Sequence, residues 1–363
     1  MSEIKRALAT IRTIKSVEPI EGADRIVKLT FESMGWVCVT AIDPYPQVGE
    51  KRIYFEVDSV LPESNPVFAF MEPYHYRVKT IKLKKQVSQG LSMPMADFAD
   101  LLNLDVELPL EDGFDLTDIL GIVKYEGPAD VQISGDTKGP FPGFIEKTDE
   151  ERAQNFGQNT IEKMLAEHEF DVTIKVDGSS GTFFLINDEF GVCSRNQELK
   201  DTEGNIFWKM ARKYNLEKRM RKISELVEPH QNFAIQGEVV GPGIQNNRLG
   251  LAENKLLVFT IQNVDEAKRL TNDQIELALK QLSDAFTRID DIGSEDDKCP
   301  ALEMVPRIKD VPPLKTLADI AALAEGTNLI NDKPREGIVL RAKDDPSISC
   351  KFINPKYLIK FDL

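Results

Sequence analysis

Short runs in which apolar and polar residues alternate fill the first hundred positions of this chain. A period of two is satisfied by strands that bury one face. The runs include Arg25-Ile26-Val27-Lys28-Leu29-Thr30-Phe31, Trp36-Val37-Cys38-Val39, Arg52-Ile53-Tyr54-Phe55-Glu56-Val57 and Arg77-Val78-Lys79-Thr80-Ile81-Lys82-Leu83. Turn signals separate them, and Val17 to Arg25 reads as a turn leading into a strand. Such a series closes into a small barrel or sandwich. From about Asn103 to Pro142 the pattern gives way to acidic residues, Gly and Pro, as in a connector. Its clearest loop, Ser134 to Pro140, matches no phosphate-binding pattern and reads as plain surface. Next, Lys147 to Arg152 reads as the opening of a helix, with Thr148 as N-cap and Glu151 three residues on. Strands and helices then alternate to the last residue. The 363 residues therefore divide into a β-rich unit (1–100), a connector (101–142) and an α+β unit (143–363).

Apolar residues make up 41% of the chain, enough for a sizeable core, yet none of their runs is long enough to span a bilayer. Met1-Ser2-Glu3-Ile4-Lys5 lacks the apolar stretch of a signal peptide, so a soluble, intracellular protein is expected. Cys38, Cys193, Cys299 and Cys350 form no CxxC pair and read as free buried thiols. His75, His168 and His230 are too scattered for a metal cage and read as solvated or hydrogen-bonded. The net charge of −15 speaks against nucleic-acid binding overall, but binding depends on local patches. Two basic stretches exist: Arg77, Lys79, Lys82, Lys84 and Lys85, and then Lys209, Arg212, Lys213, Lys218, Arg219, Arg221 and Lys222. Each reads first as a solvated face. The acidic segment Asp290 to Lys298 reads as an exposed loop.

The sharpest chemical signal is Thr173-Ile174-Lys175-Val176-Asp177-Gly178-Ser179. The apolar run Phe170 to Val176 places Lys175 near a strand end, beside a turn at Asp177-Gly178. A protonated lysine, with a reference pKa of about 10.4, is a poor nucleophile. Desolvation or a nearby cation lowers that value, and a metal ion on neighbouring carboxylates supplies such a field. Alone, the motif reads as a hairpin turn with a solvated lysine. It is followed, in order, by Ser194-Arg195-Asn196, Gln236-Gly237-Glu238-Val239-Val240-Gly241, Leu257-Val258-Phe259-Thr260, Arg335-Glu336-Gly337-Ile338-Val339-Leu340-Arg341 and Ser349-Cys350-Lys351-Phe352.

That ordered set resembles the covalent nucleotidyltransferase superfamily of DNA ligases, RNA ligases and mRNA capping enzymes, from about Phe144 onward. The resemblance implies that Lys175 takes AMP from ATP. It implies that Asp177 contacts ribose or metal-bound water, and that Arg195 grips ribose or the incoming 5′-phosphate. Glu238 would contact the ribose or the metal's hydration shell, Phe259 would stack on adenine, and Glu336 would hold the waters of the catalytic Mg²⁺ or Mn²⁺. Lys351 would contact the α-phosphate. Asp177, Glu238 and Glu336 would thus serve the metal mostly through water. Two departures stand out. Ile353 and Ser349 occupy the places where a second lysine of the last motif is expected, leaving Lys356 as a weak candidate. Ile174 stands where related RNA ligases often carry an acid.

DNA ligases and capping enzymes place an OB barrel after the final motif, whereas here Leu363 follows Lys351 too closely and the β-rich unit comes first. Ile20 to Arg25, Phe55 to Pro62 and Lys79 to Leu83 resemble the RNA ligase branch with an N-terminal OB domain. Phe144 to Glu150 resembles the start of its transferase domain. The expected fold is thus α+β, an OB-like barrel followed by a nucleotidyltransferase domain. The expected activity is ATP-dependent joining of 3′-hydroxyl and 5′-phosphate RNA ends at nicks, on duplex RNA or an RNA–DNA hybrid, by a monomer. Arg152 is a further candidate for the ATP phosphates. Arg77, Lys79 and Lys82, near Tyr74 and Tyr76, are candidates for nucleic acid on the barrel. The alternatives are a DNA or mixed-substrate ligase, a GTP-using capping enzyme, and an inactive nucleic-acid-binding relative.

Overall fold

The computed structural model describes residues 6–102, 111–125, 136–147, 149–227, 232–287 and 299–363. The N-terminal part is a five-stranded antiparallel sheet in the order Val37–Ala41, Ile26–Phe31, Ala9–Pro19, Lys51–Phe55, Leu91–Pro94. The expected strands are present, with ends displaced by one to three residues. The longest, Ala9–Pro19, is absent from the sequence reading. Its register shifts between Ile14 and Ser16, and such a bulge breaks the alternation that marks a strand. The bulge also bends the strand. Its first half pairs with Lys51–Phe55 and its second with Ile26–Phe31, so the sheet curls on itself. Phe55, Phe68, Phe98 and Leu116 fill one side of the curl, and Phe31, Trp36 and Tyr54 the other. A separate hairpin, Thr80–Leu83 with Gln86–Gln89, stands beside it; Arg77 makes only an isolated bridge to Val60.

The described parts of the connector are not plain loop. Leu116, Leu120 and Ile122 are buried in the barrel core, and Val123–Lys124 pairs with Ser59–Val60. Thr137–Pro140 is an edge strand against Gln197–Leu199, anchored by Lys138 on Glu198 at 2.6 Å. The surface-loop reading is therefore corrected there, while Ser134 and Gly135 lie outside the described residues, as do His230, Thr148 and Asp290 to Lys298.

The second part holds two sheets. In the larger, Ser179–Ile186, Phe233–Val240 and Lys255–Asn263 run side by side. The helices Ile206–Lys213, Leu216–Val227 and Asn272–Thr287 accompany it, their apolar residues joining those of the strands in one cluster. The smaller contains Phe170–Lys175, Gly337–Ala342 and Ser349–Ile353. Residues 303–308 stitch the two together. Val305 N–H donates to Val258 O at 2.9 Å, and Ile174 N–H donates to Pro306 O at 2.8 Å.

The described residues of the expected helix, 147 and 149–152, are not helical. Among the described residues the first α-helix of this part is Gln158–Glu167, with Gly157 as its N-cap. The acidic run has other partners: Asp149 meets Lys351 and Arg195, Glu150 meets Arg341, and Arg152 meets Asp58 of the barrel. Tertiary ion pairs hold each charge in an extended segment and override the capping pattern. The same segment joins the two parts, since Gly35 N–H donates to Gln154 O at 2.7 Å and Arg152 reaches Asp58 at 2.8 Å.

Cys38, Cys193 and Cys350 are buried free thiols, while Cys299 is half-buried. His168 pairs with Asp344 at 3.0 Å. No helix among the described residues is long and apolar enough to cross a membrane.

Candidate active site

Lys175 ends its strand opposite Gly337. The pairing sets Glu336 beside it, and Nζ donates to Glu336 Oε1 at 2.7 Å. Glu238 reaches the same ammonium from the larger sheet, and Asp177 adds a third carboxylate. Burial by itself lowers the Lys175 pKa, but Glu336, Glu238 and Asp177 more than reverse it and hold it above the ordinary lysine value. The pocket's own carboxylates thus oppose the expected lowering. Burial likewise pushes the Glu238 carboxyl up to about 8 against the pull of Lys175.

Asp177 Oδ2 accepts from Arg248 at 2.7 Å and from the Tyr357 hydroxyl at 2.8 Å. Gly178, next to it, is needed for close approach and not for an unusual φ, which it does not have. A Cβ there would lie 2.5 Å from Val239 O and 2.7 Å from Glu238 Cγ. Gly178→Ala should cost about 1–3 kcal/mol through overpacking and push Glu238 away from Lys175. Thermal melts and AMP transfer should both decline; a variant indistinguishable in both would show that the loop has slack.

Lys351 stands opposite Val339 on the smaller sheet. Its Nζ donates to Asp149 Oδ1 at 2.6 Å, and Arg195 donates to Asp149 Oδ2 at 2.8 Å. Two cations assigned to phosphates by resemblance therefore meet on one internal carboxylate. Burial would raise the Asp149 pKa, but Lys351 and Arg195 hold it well below the usual carboxylate range. Arg152 bridges Lys351 through its backbone, while its guanidinium is held by Asp58. Lys356 is not brought to the site, for it pairs with Glu325 at 2.6 Å on the surface.

Phe259 owes its position to a bulge. In the pairing of Phe233–Val240 with Lys255–Asn263, Gln236 faces Thr260 and Gly237 faces Val258, which leaves Phe259 as the extra residue. Leu256, Val258 and Ile261 join the outer cluster, whereas Leu257 and half-buried Phe259 pack with Ile174 and Val176 near Lys175. A bulge of this kind re-aims a side chain beside a functional site.

The residues fit a divalent cation. Glu336 Oε2 is buried with no partner, and three carboxylates crowd one ammonium. Oxygen ligands few in number, as Glu336, Glu238 and Asp177 offer, are what a hard cation that keeps several waters takes.

The Glu238 shift has a measurable sign. Between about 4.5 and about 8 the folded carboxyl keeps a proton that the unfolded one loses, so stability falls as pH rises across that window. In chelator, Glu238→Gln should remove that part of the decline and melt a few degrees higher than the parent at pH 8. Parallel melting curves across the window would show that Glu238 is not protonated in the fold.

The sequence profile of the RNA ligase family matches residues 168–360 of the 363. The chain belongs to the RNA ligase family. A profile of an OB-fold domain matches residues 8–95, the curled sheet at the start of this RNA ligase. Among solved structures, the ligase is similar to a variant of Naegleria gruberi RNA ligase with AMP and Mn, at 34% identity and a TM-score of 0.82, covering 97% of this chain and 98% of that one. A second variant of that protein with ATP and Mn matches at 34% identity, TM-score 0.81, over 97% and 98%. The same protein with pyrophosphate matches at 34%, TM-score 0.81, over 98% of each chain. Curated protein sequences gave no match.

Arg248 and Tyr357 of this ligase escape the sequence reading, and Asp58 and Asp149 enter it only inside longer stretches, with no role of their own. Each acts through a partner more than seventy positions away, and no local spacing marks such a residue.

Proposed function

We propose that this protein is an ATP-dependent RNA ligase that joins 3′-hydroxyl and 5′-phosphate ends at nicks through a lysyl-AMP intermediate. The observation that carries the reading is Lys175, held 2.7 Å from Glu336 and close to Glu238, with Lys351 and Arg195 gathered on Asp149 nearby. ATP and a divalent cation follow from the relatives crystallised with ATP, AMP and Mn. Glu238 and Glu336 would hold the cation, Mg²⁺ or Mn²⁺, through its waters, with Asp177 beside them; when bound, it supplies positive charge that offsets the carboxylates around Lys175. In the first step the neutral Lys175 amine attacks the α-phosphorus. A phosphorus–nitrogen bond forms, the bond to the β-phosphate oxygen breaks, pyrophosphate leaves, and the amine proton passes to solvent. Lys351 and Arg195, released from Asp149, face the phosphate charge, and Arg152 stands behind them. Phe259 stacks on adenine. The RNA 5′-phosphate then takes AMP from Lys175, and the 3′-hydroxyl displaces AMP to close the strand.

We divide the chain into an OB domain (1–100), a connector (101–142) and the transferase domain (143–363), acting as an intracellular monomer. Free thiols suit a reducing compartment. The test is sealing of nicked duplex RNA beside nicked DNA and nicked hybrid, with ATP or GTP. RNA sealing driven by ATP supports the reading; sealing of DNA alone, or label taken only from GTP, would replace it.

A further inference from the structure

In the hairpin beside the barrel, Leu83 pairs with Gln86, which leaves a two-residue turn. Those residues are Lys84 and Lys85, both left-handed, at φ 47° and 69°. A tight hairpin favours that conformation at both positions, and Asn-Gly or Asp-Gly meets it with least strain. Here two long cations stand where the backbone disfavours them. Lys82 adds a third on the adjoining strand. All three are exposed, and none pairs with a carboxylate among the described residues.

Neighbouring cations behave differently. Arg77 pairs with Asp58 and lies over Tyr125, and Lys79 pairs with Asp362. In the second basic stretch, Arg212, Lys213 and Arg221 pair with Asp201, Glu253 and Asp188. Acids outnumber Lys and Arg by 60 to 45, so three exposed lysines within four positions, none paired among the described residues, are a local concentration that the composition does not favour. Their place matters too. The strand Thr80–Leu83 packs on the helix Pro355–Phe361, and that helix gives Tyr357 to Asp177, two residues from Lys175. One helix separates the hairpin from the turn that follows the nucleophile's strand.

We propose that Lys82, Lys84 and Lys85 grip the sugar–phosphate backbone of the RNA beside the ends being joined. The proposal rests on the RNA-ligase reading above. Lysines act as point charges on phosphates and give affinity without sequence preference. Each phosphate neutralised on a duplex steepens the salt dependence of binding by about 0.9 in log K against log salt.

The test is the double variant Lys84→Asn with Lys85→Gly, which removes both charges and installs the residues the turn prefers. Its melting midpoint should equal or exceed the parent's, and label transfer from α-labelled ATP to protein should stay within twofold. Binding to nicked, 5′-phosphorylated duplex RNA should lose about 1.8 of its salt slope and about tenfold in affinity at about 50 mM salt. Sealing should slow at low RNA and recover at saturation. Normal adenylation with an unchanged slope and affinity overturns the proposal. If the double variant melts early, Lys82→Gln decides, because Lys82 is outside the turn: a slope lower by about 0.9 supports the proposal and an unchanged slope ends it. Failure of the parent protein to take label would instead fall on the ligase reading.

Discussion

Lys175→Ala should take no label from α-labelled ATP, a loss of at least about 10³-fold. Lys351, the other lysine gathered at the site, pairs with Asp149 and is assigned to the phosphate charge, not to the attack. The variant also leaves Glu336 without the ammonium it pairs with, while Asp177 keeps Arg248. Buried carboxylates left unpaired destabilise a fold, so its melting midpoint should drop in chelator and recover when Mn²⁺ is added. The same variant should still seal RNA supplied with AMP already on its 5′-phosphate, since the lysine is spent by then. Label on the variant protein would reassign the nucleophile. Failure on the pre-adenylylated strand would mean that Lys175 also serves the sealing step.

Glu336→Gln should slow adenylation by about 10²–10³-fold and raise the Mg²⁺ or Mn²⁺ needed for half-maximal rate. It should also move the pH profile. Glu336 holds the Lys175 pKa up, so its loss as a carboxylate lowers that pKa, and the rise in rate with pH should come at lower pH than in the parent. A variant with lower rate but an unmoved profile would show that Glu336 serves the cation alone. An unchanged metal requirement would remove it from the cation site.

The barrel strands and the order of the transferase motifs could be read from the chain because each depends on residues close in sequence. Period-two runs such as Ile26–Phe31 mark strands without reference to anything distant, and Lys175-Val176-Asp177-Gly178 is a local unit. What lay hidden depends on long-range partners. Thr148 to Glu151 reads as a helix start only while Lys351, Arg195 and Arg341 are out of view, because those three cations take Asp149 and Glu150 instead. Ala9–Pro19 hides behind its own bulge. Lys79 and Arg77 look like nucleic-acid contacts until Asp362 and Asp58 claim them, and the free charge then shifts to the turn two residues beyond Lys82. The Lys175 pKa shows the same limit. Its direction is set by carboxylates from three separate stretches of the chain, and no motif states which of desolvation or charge prevails.

The grip between Asp58 and Arg152 bears on protein engineering. The OB fold invites treatment as a cassette that could be exchanged between ligases to change what they bind. In this chain a transplanted barrel would arrive without the carboxylate that holds Arg152, and the backbone of Arg152 is bridged to Lys351. A chimera would therefore inherit a loosened phosphate wall even if both halves fold, and its first symptom would be a raised KM for ATP, not for RNA. Carrying Asp58 over with Arg152 as a matched pair is the minimum condition for such a graft.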